Sequence, residues 1–305
     1  MNLLTLKLRR HLVVTSLFAG TLASPVFAAD TLLFSTGNPD GRMAAASRIE
    51  SAGKPEIEAA DDFVLTQHTS LTSASFTGLL PSGASLGSIA DVTVEIYRVF
   101  PNDSDVGRTS GPSTFSTPQV PTRVNSPSDV ALDSRQASAG SLTFSAGIVN
   151  ANFTANNSVL NGINPKPNQT TQGEGPVSGQ EVTFTVTFTT PFDLSADHYF
   201  FVPQVQLSGA ADNFLWLSAP RPIVPPGTPF PAGSTDLQAW IRNANLNPDW
   251  LRVGTDIVGP INGSTPTFNM AFSLAGTVPD AGTTAGLLGS VFAAIALLRR
   301  RTIHS

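Results

Sequence analysis

The sequence predicts an all-β body, an antiparallel β-sandwich. Three observations carry that reading. Glu181–Thr189 alternates without exception, with Val182, Phe184, Val186 and Phe188 on one face and threonines on the other, the pattern of a half-buried antiparallel strand. No window sustains a 3.6-residue apolar period bounded by caps. Charged residues make up only 13% of the chain, against about a quarter in typical domains. Ser, Thr, Asn, Gly and Pro take their place, which suits a β-rich extracellular surface.

The elements follow in order. Lys7, Arg9, Arg10 and His11 precede an apolar run from Leu12 to Leu22, and Val26-Phe-Ala28 follows where a signal peptidase reads small residues. Residues 1–28 are therefore read as a secretory signal peptide cut after Ala28, with the Sec translocon and signal peptidase as first partners. Met43–Ser51 and Asp236–Asn243 are read as short helices. Ser70–Leu80, Leu142–Val149, Tyr199–Leu207 and Phe214–Leu217 are read as strands. Asp91–Phe100 alternates as far as Ile96 and then changes phase, which implies a bulge or a strand end. Phe268, Met270, Phe272 and Leu274 share one face of the last strand. Three long segments lie between these elements: Pro101–Arg135, Asn161–Gln180 and Ala219–Ser234, the last with six prolines. With no repeat period and no compositional break, residues 29–277 form one domain, its sheets packed face to face.

Composition excludes several functions. Of 17 Lys and Arg, six lie in the two termini, as does one of 22 Asp and Glu, leaving the body 11 basic and 21 acidic residues. Scattered cations on an acidic body do not suit a phosphate backbone, so no nucleic-acid partner is expected. The chain has no cysteine. Thiol catalysis, Cys-ligated zinc and lipoprotein acylation are excluded, and core burial must hold the fold without disulfides.

Few residues invite a chemical role. Gly83-Ala-Ser-Leu-Gly87 fits the G-x-S-x-G pattern, but a nucleophile at Ser85 needs a helix directly after it, and a strand follows instead. His68 and His198, alone in the body, stand in no ligand spacing. Asp61, Asp62, Asp103 and Asp105 supply oxygens that suit a structural calcium, with turn chemistry as the competing explanation for Asn102-Asp-Ser-Asp105. No other cofactor is expected. Trp216 lies inside an apolar run and is read as core. Trp240 and Trp250 flank the Asn-rich stretch Ile241–Asp249 and are the candidate carbohydrate contacts, with burial as the competing reading. No pair among the acids is marked out for glycoside cleavage.

The C-terminus has three parts in fixed order: Val278-Pro279-Asp280-Ala281-Gly282, an uncharged segment from Ala281 to Leu298, and Arg299, Arg300 and Arg301. As a helix the segment would span roughly 27 Å, near the lower limit for a hydrocarbon core of about 30 Å. The arginines would hold the end in the cytoplasm. Pro279 and Gly282 break regular structure just outside the membrane. This order resembles the sorting signal of bacterial exosortase substrates, the PEP-CTERM class, and most closely its VPDSG variant, with Ala281 where that variant has Ser. The resemblance covers residues 278–305. It implies an exported protein, anchored transiently in the inner membrane, cut by an exosortase-type transpeptidase, and destined for the cell surface or the medium. Ala60-Asp-Asp-Phe-Val-Leu-Thr66 and Val92-Thr-Val-Glu-Ile-Tyr97 look like the opening of jelly-roll modules in secreted bacterial proteins, which implies a jelly-roll-like sandwich and no activity. The functional expectation is a non-catalytic surface or extracellular-matrix protein whose partner is exopolysaccharide. The alternative is a polysaccharide-acting hydrolase of the envelope on the same scaffold.

Overall fold

The computed structural model describes residues 30–51, 53–105, 120, 123–163, 170–209, 213–220 and 227–278. Its strands, in chain order, are β1 (Thr31–Ser35), β2 (Ala44–Ala46), β3 (Ile57–Leu65), β4 (Thr69–Pro81), β5 (Ile89–Arg98), β6 (Asp133–Gln136), β7 (Leu142–Ala155), β8 (Ser158–Val159), β9 (Val177–Leu194), β10 (Asp197–Leu207), β11 (Leu215–Ala219), β12 (Trp240–Asn243), β13 (Leu251–Arg252), β14 (Asn269–Met270) and β15 (Phe272–Thr277). A nine-stranded sheet runs β1-β15-β4-β11-β2-β8, with β9 on β4, β7 on β9 and β14 on β11. A six-stranded sheet runs β13-β12-β3-β10-β5-β6. All pairings between these strands are antiparallel except β2 with β8. The expected sandwich is thus observed, as two sheets, antiparallel but for β2 with β8, packed through their inner faces.

Alternation decides which side chains fill the space between the sheets. Val182, Phe184, Val186 and Phe188 of β9 are all buried, as read from sequence. Phe201 of the six-stranded sheet stacks on Phe272 of the other at 5.0 Å between ring centroids, and Phe34 meets Phe63 at 6.3 Å, so aromatic rings bridge the layers. Gly78 in β4 is required by this packing. A Cβ there would lie 2.1 Å from the Phe214 ring.

Both expected helices are strands instead. Ala44, Ala45 and Ala46 are fully buried, with Ala45 directly opposite Trp216 on β11. Small side chains admit the large ring, and this packing overrides the helical preference of alanine. Asp236–Asn243 leads into β12, which pairs with β3 from Trp240↔Ala60 to Asn243↔Ile57. The change of phase after Ile96 marks no bulge but a strand end, since β5 stops at Arg98. β5 stays in unbroken register with β10 from Tyr199↔Arg98 to Gln206↔Asp91. Tyr97 is apolar out of phase because a second cluster covers the outer face of the six-stranded sheet: Ala60, Tyr97, Phe200, Val202, Leu237, Trp240 and Trp250.

Candidate functional site

The densest polar chemistry lies beside that second cluster. β3 sends Ile57, Ala59 and Phe63 to the inner face and Glu58 and Asp62 to the outer one, where Glu58 faces Arg242 across the β3–β12 pair. Arg242 is buried and holds Glu58 with two nitrogens, Nε to Oε2 and Nη2 to Oε1 at 3.0 Å. Its Nη2 also donates to Tyr97 Oη at 2.8 Å, and its Nη1 donates to the Asp129 carbonyl at 3.0 Å. The guanidinium lies 4.3 Å over the Trp250 ring. Tyr97 Oη is 2.6 Å from Glu58 Oε1 and 3.0 Å from Glu95 Oε2.

That oxygen fixes a proton by counting. A phenol has one hydrogen, and the shorter contact, to the Arg242-paired Glu58, takes it. The contact to Glu95 is then filled by a proton on Glu95. Electrostatics agrees: burial first, and the Glu58 charge second, push the Glu95 carboxyl up to about 8. Burial and Glu58 likewise raise Glu56, whose Oε1 accepts from Gln204 Nε2 at 2.8 Å. Glu95 and Glu56 are half-buried at the open end of the cluster. Glu58 and Glu95 both reach one phenolic oxygen, so the Tyr97 hydroxyl occupies the space between the two carboxyl groups.

A second site pairs two sequence candidates. Asp62 Oδ2 contacts His198 Nε2 at 2.6 Å and accepts from the Leu237 backbone at 3.1 Å. Burial pushes the Asp62 carboxyl up to about 6, against the pull of His198. The pair fixes the Leu237 segment to the sheet. His68 is exposed between β3 and β4.

The remaining candidates are not brought together. Asp61 points inward, its Oδ2 accepting from the Met270 backbone at 2.7 Å, and so ties the two sheets. Asp103 is paired with Arg98, and the Asp105 backbone donates to Asp129 Oδ2 at 2.7 Å. Asp61 and Asp62 leave opposite faces of β3. Among the described residues no group of three or more acidic or histidine side chains is placed to hold a metal ion. The carbohydrate contact at Trp240 and Trp250 gives way to its competing reading, burial. Trp240 and Trp250 are 1% and 0% exposed, their indole nitrogens donating to the Leu237 and Ser128 carbonyls at 3.1 and 3.0 Å. Both are core residues. Trp216, as expected, is core too. Ser85 precedes a 3-10 turn, Leu86–Ser88, with Ser88 Oγ donating to the Ser85 carbonyl at 2.7 Å, and β5 follows at once. It caps a turn between strands.

The sorting end begins where the fold stops. β15 is hydrogen-bonded on both sides, to β1 and to β4, through Thr31↔Gly276 and Thr277↔Ser70. Val278, half-buried, is the last described residue. Pro279, Asp280, Gly282, the apolar segment and Arg299–Arg301 lie outside the described residues, as does Ala28. Residues 277–302 match the VPDSG-CTERM motif. The chain therefore carries the sorting signal of an exported, surface-directed protein that is processed by an exosortase-type enzyme. No curated protein and no solved structure matches it. The motif starts on the final residue of β15, so the sorted cargo is the sandwich itself, with no linker between.

Glu58, Glu95, Tyr97 and Arg242 were missed as a group. The signal available was partial: alternation in Val92–Ile96 places Thr93 and Glu95 on the face opposite the valines, but nothing in the sequence aligns β12 beside β3.

Proposed function

We propose that the sandwich is a non-catalytic surface or extracellular-matrix protein associated with exopolysaccharide, delivered by its tail. The observation that carries this reading is the junction at Thr277–Val278, where a motif for export and cutting is fused directly to a strand paired on both sides. The outer face of the nine-stranded sheet supports the choice of partner. Thr143 and Ser145 on β7 lie in register with Thr187 and Thr185 on β9, and these with Ser73 and Ser75 on β4. Ser75 and Ser273 Oγ atoms are 2.7 Å apart, and Thr77 and Thr183 Oγ1 atoms 2.9 Å. This is an uncharged hydroxyl surface that a neutral polysaccharide can meet without desolvating charge. The hydrolase alternative gains little from the polar cluster, because Glu58 is committed to Arg242 and lies against Glu95.

Intact mass spectrometry of the surface-released protein tests the reading. The mass should correspond to a chain that begins after Ala28 and ends near Val278–Gly282. Pro279→Ala with Asp280→Ala should leave uncut protein in the inner membrane. Normal release of that double variant would refute the role assigned to the tail, and a released protein that hydrolyses the host polysaccharide would refute the non-catalytic one.

A further inference from the structure

Over Leu142–Ile148, β7 is an open sheet edge among the described residues. Among the described residues it pairs with β9 and with no second strand. Its 14 residues include no charge and no proline, and the uncharged run extends from Gln136 to Pro165. Open edges are ordinarily blunted by lysine, proline, shortness or a cover, since their free backbone groups template pairing with another chain. The neighbouring edge of the six-stranded sheet, β6, follows that rule: it has four residues, and they include Asp133 and Arg135. On β7, residues 147–152 are all exposed, with Ile148 at 45% and Val149 at 63%.

We propose that the Leu142–Ile148 edge pairs antiparallel with the same edge of a second copy, about a two-fold axis normal to the sheet. The register follows from where β7 is regular. From Leu142↔Phe188 to Ile148↔Val182 it follows β9 without a break, and then shifts at Ile148/Asn150 and again at Asn150/Phe153. Such irregularities bend a strand out of line, so the straight stretch is seven residues centred on Ser145. Two-fold pairing about that centre sets Ser145 opposite its own copy and Thr143 opposite Gly147 on the outer face. On the inner face it sets Phe144 opposite Ala146, and Leu142 over the exposed Ile148. Large side chains meet small ones, and the apolar side chain left open at the rim is covered.

The absence of charge argues for a second copy as the occupant. A strand paired with itself across a two-fold axis brings identical residues together, and any Lys, Arg, Asp or Glu at the centre would face its own sign. The body is acidic overall, yet this edge and the Ala137–Ser141 turn beside it carry nothing to repel. The shifts beyond Ile148 end the pairing, so the contact closes as a dimer.

Sedimentation velocity on the processed, surface-released protein over a dilution series tests the proposal. The wild type should show a concentration-dependent monomer–dimer equilibrium. Ser145 is exposed on the outer face, so Ser145→Lys and Ser145→Glu should keep the wild-type circular dichroism, and each should weaken self-association by about fivefold through like charges directly opposite. An equimolar mixture of the two variants should regain dimer, because that register places Lys against Glu. A wild type that stays monomeric at every concentration, variants that dimerise as it does, or a mixture no better than its components would each overturn the proposal.

Discussion

The protonated Glu95 has a consequence for stability that can be measured directly. Its carboxyl ordinarily titrates at 4.5 and is pushed up to about 8 in the fold, by burial and then by Glu58. The folded state therefore binds the proton more tightly than the unfolded chain. Stability from this group is fully present below about pH 4.5 and is lost as pH rises through about 8. At about 1.4 kcal/mol for each tenfold in proton affinity, the loss is on the order of 5 kcal/mol, as a ceiling. Asp62, raised from 3.8 to about 6, acts in the same direction over a lower window, as does Glu56. Asp91 and Glu174 act oppositely. Burial alone would raise both, but hydrogen bonds outweigh it: Ser138 and Gln136 hold Asp91 low, and the backbones of Leu160, Asn161 and Gly162 hold Glu174 low. Their contribution is lost as pH falls below their ordinary values of 3.8 and 4.5. The processed protein should thus be most stable near pH 5 and weaken toward pH 8. Urea unfolding at a series of pH values gives the curve, and Glu95→Gln, which keeps the shape and a donor without the charge, should flatten its upper limb. A wild type equally stable at pH 5 and pH 8, or a Glu95→Gln variant with an unchanged slope, would refute the proton assignment.

Two further outcomes follow from the second cluster. Trp250→Ala empties a fully buried site and removes the ring under Arg242, so it should cost about 3–5 kcal/mol, visible as a large fall in melting temperature; a variant that melts like the wild type would return this tryptophan to the surface. Arg242→Met leaves Glu58 buried without its partner and should also cost about 3–5 kcal/mol. Adding Glu58→Leu to Arg242→Met should recover much of that loss, and a double variant no more stable than the single one would show that the ion pair was not the cause.

Legibility in the sequence varied with how local the cause was. β9 announced itself because both its faces are uniform: the core side takes Val182, Phe184, Val186 and Phe188, and solvent takes the threonines. The burial of Trp250 was masked by its neighbours. The Asn-rich residues before it read as a polar rim, whereas that segment folds back so that Trp250 packs edge-on against Tyr97 at 5.4 Å between centroids. Ala44–Ala46 was misread because alanine is a helix former until a tryptophan on the next strand needs the room. The polar cluster was out of reach for a different reason. Glu58 lies 39 residues from Tyr97 and 184 from Arg242, and only strand order brings them together.

That cluster also explains how an acidic body without disulfides uses its few cations. Arg242 joins β12 to Glu58 and Tyr97 and to the Asp129 and Pro248 carbonyls. Arg123, 1% exposed, bridges Asp129 and Asp249 and lies 4.3 Å over the Phe100 ring. Arg135 reaches from the six-stranded sheet to the Thr190 and Pro191 carbonyls of β9, its guanidinium 4.2 Å from the Phe192 ring. Each of the three arginines fastens segments distant in sequence through donors that lysine does not offer in one plane. A loop held this way cannot lift without leaving a buried carboxylate or guanidinium unpaired, so the segments around residues 123–135 and 242–250 move with the sheet. Three of the body's cations thus turn inward as clamps, while Arg42 stays exposed at the surface. The uncharged hydroxyl face of β4 and β9 and the uncharged β7 edge are where the proposed neutral polymer and second copy would meet the fold without desolvating charge.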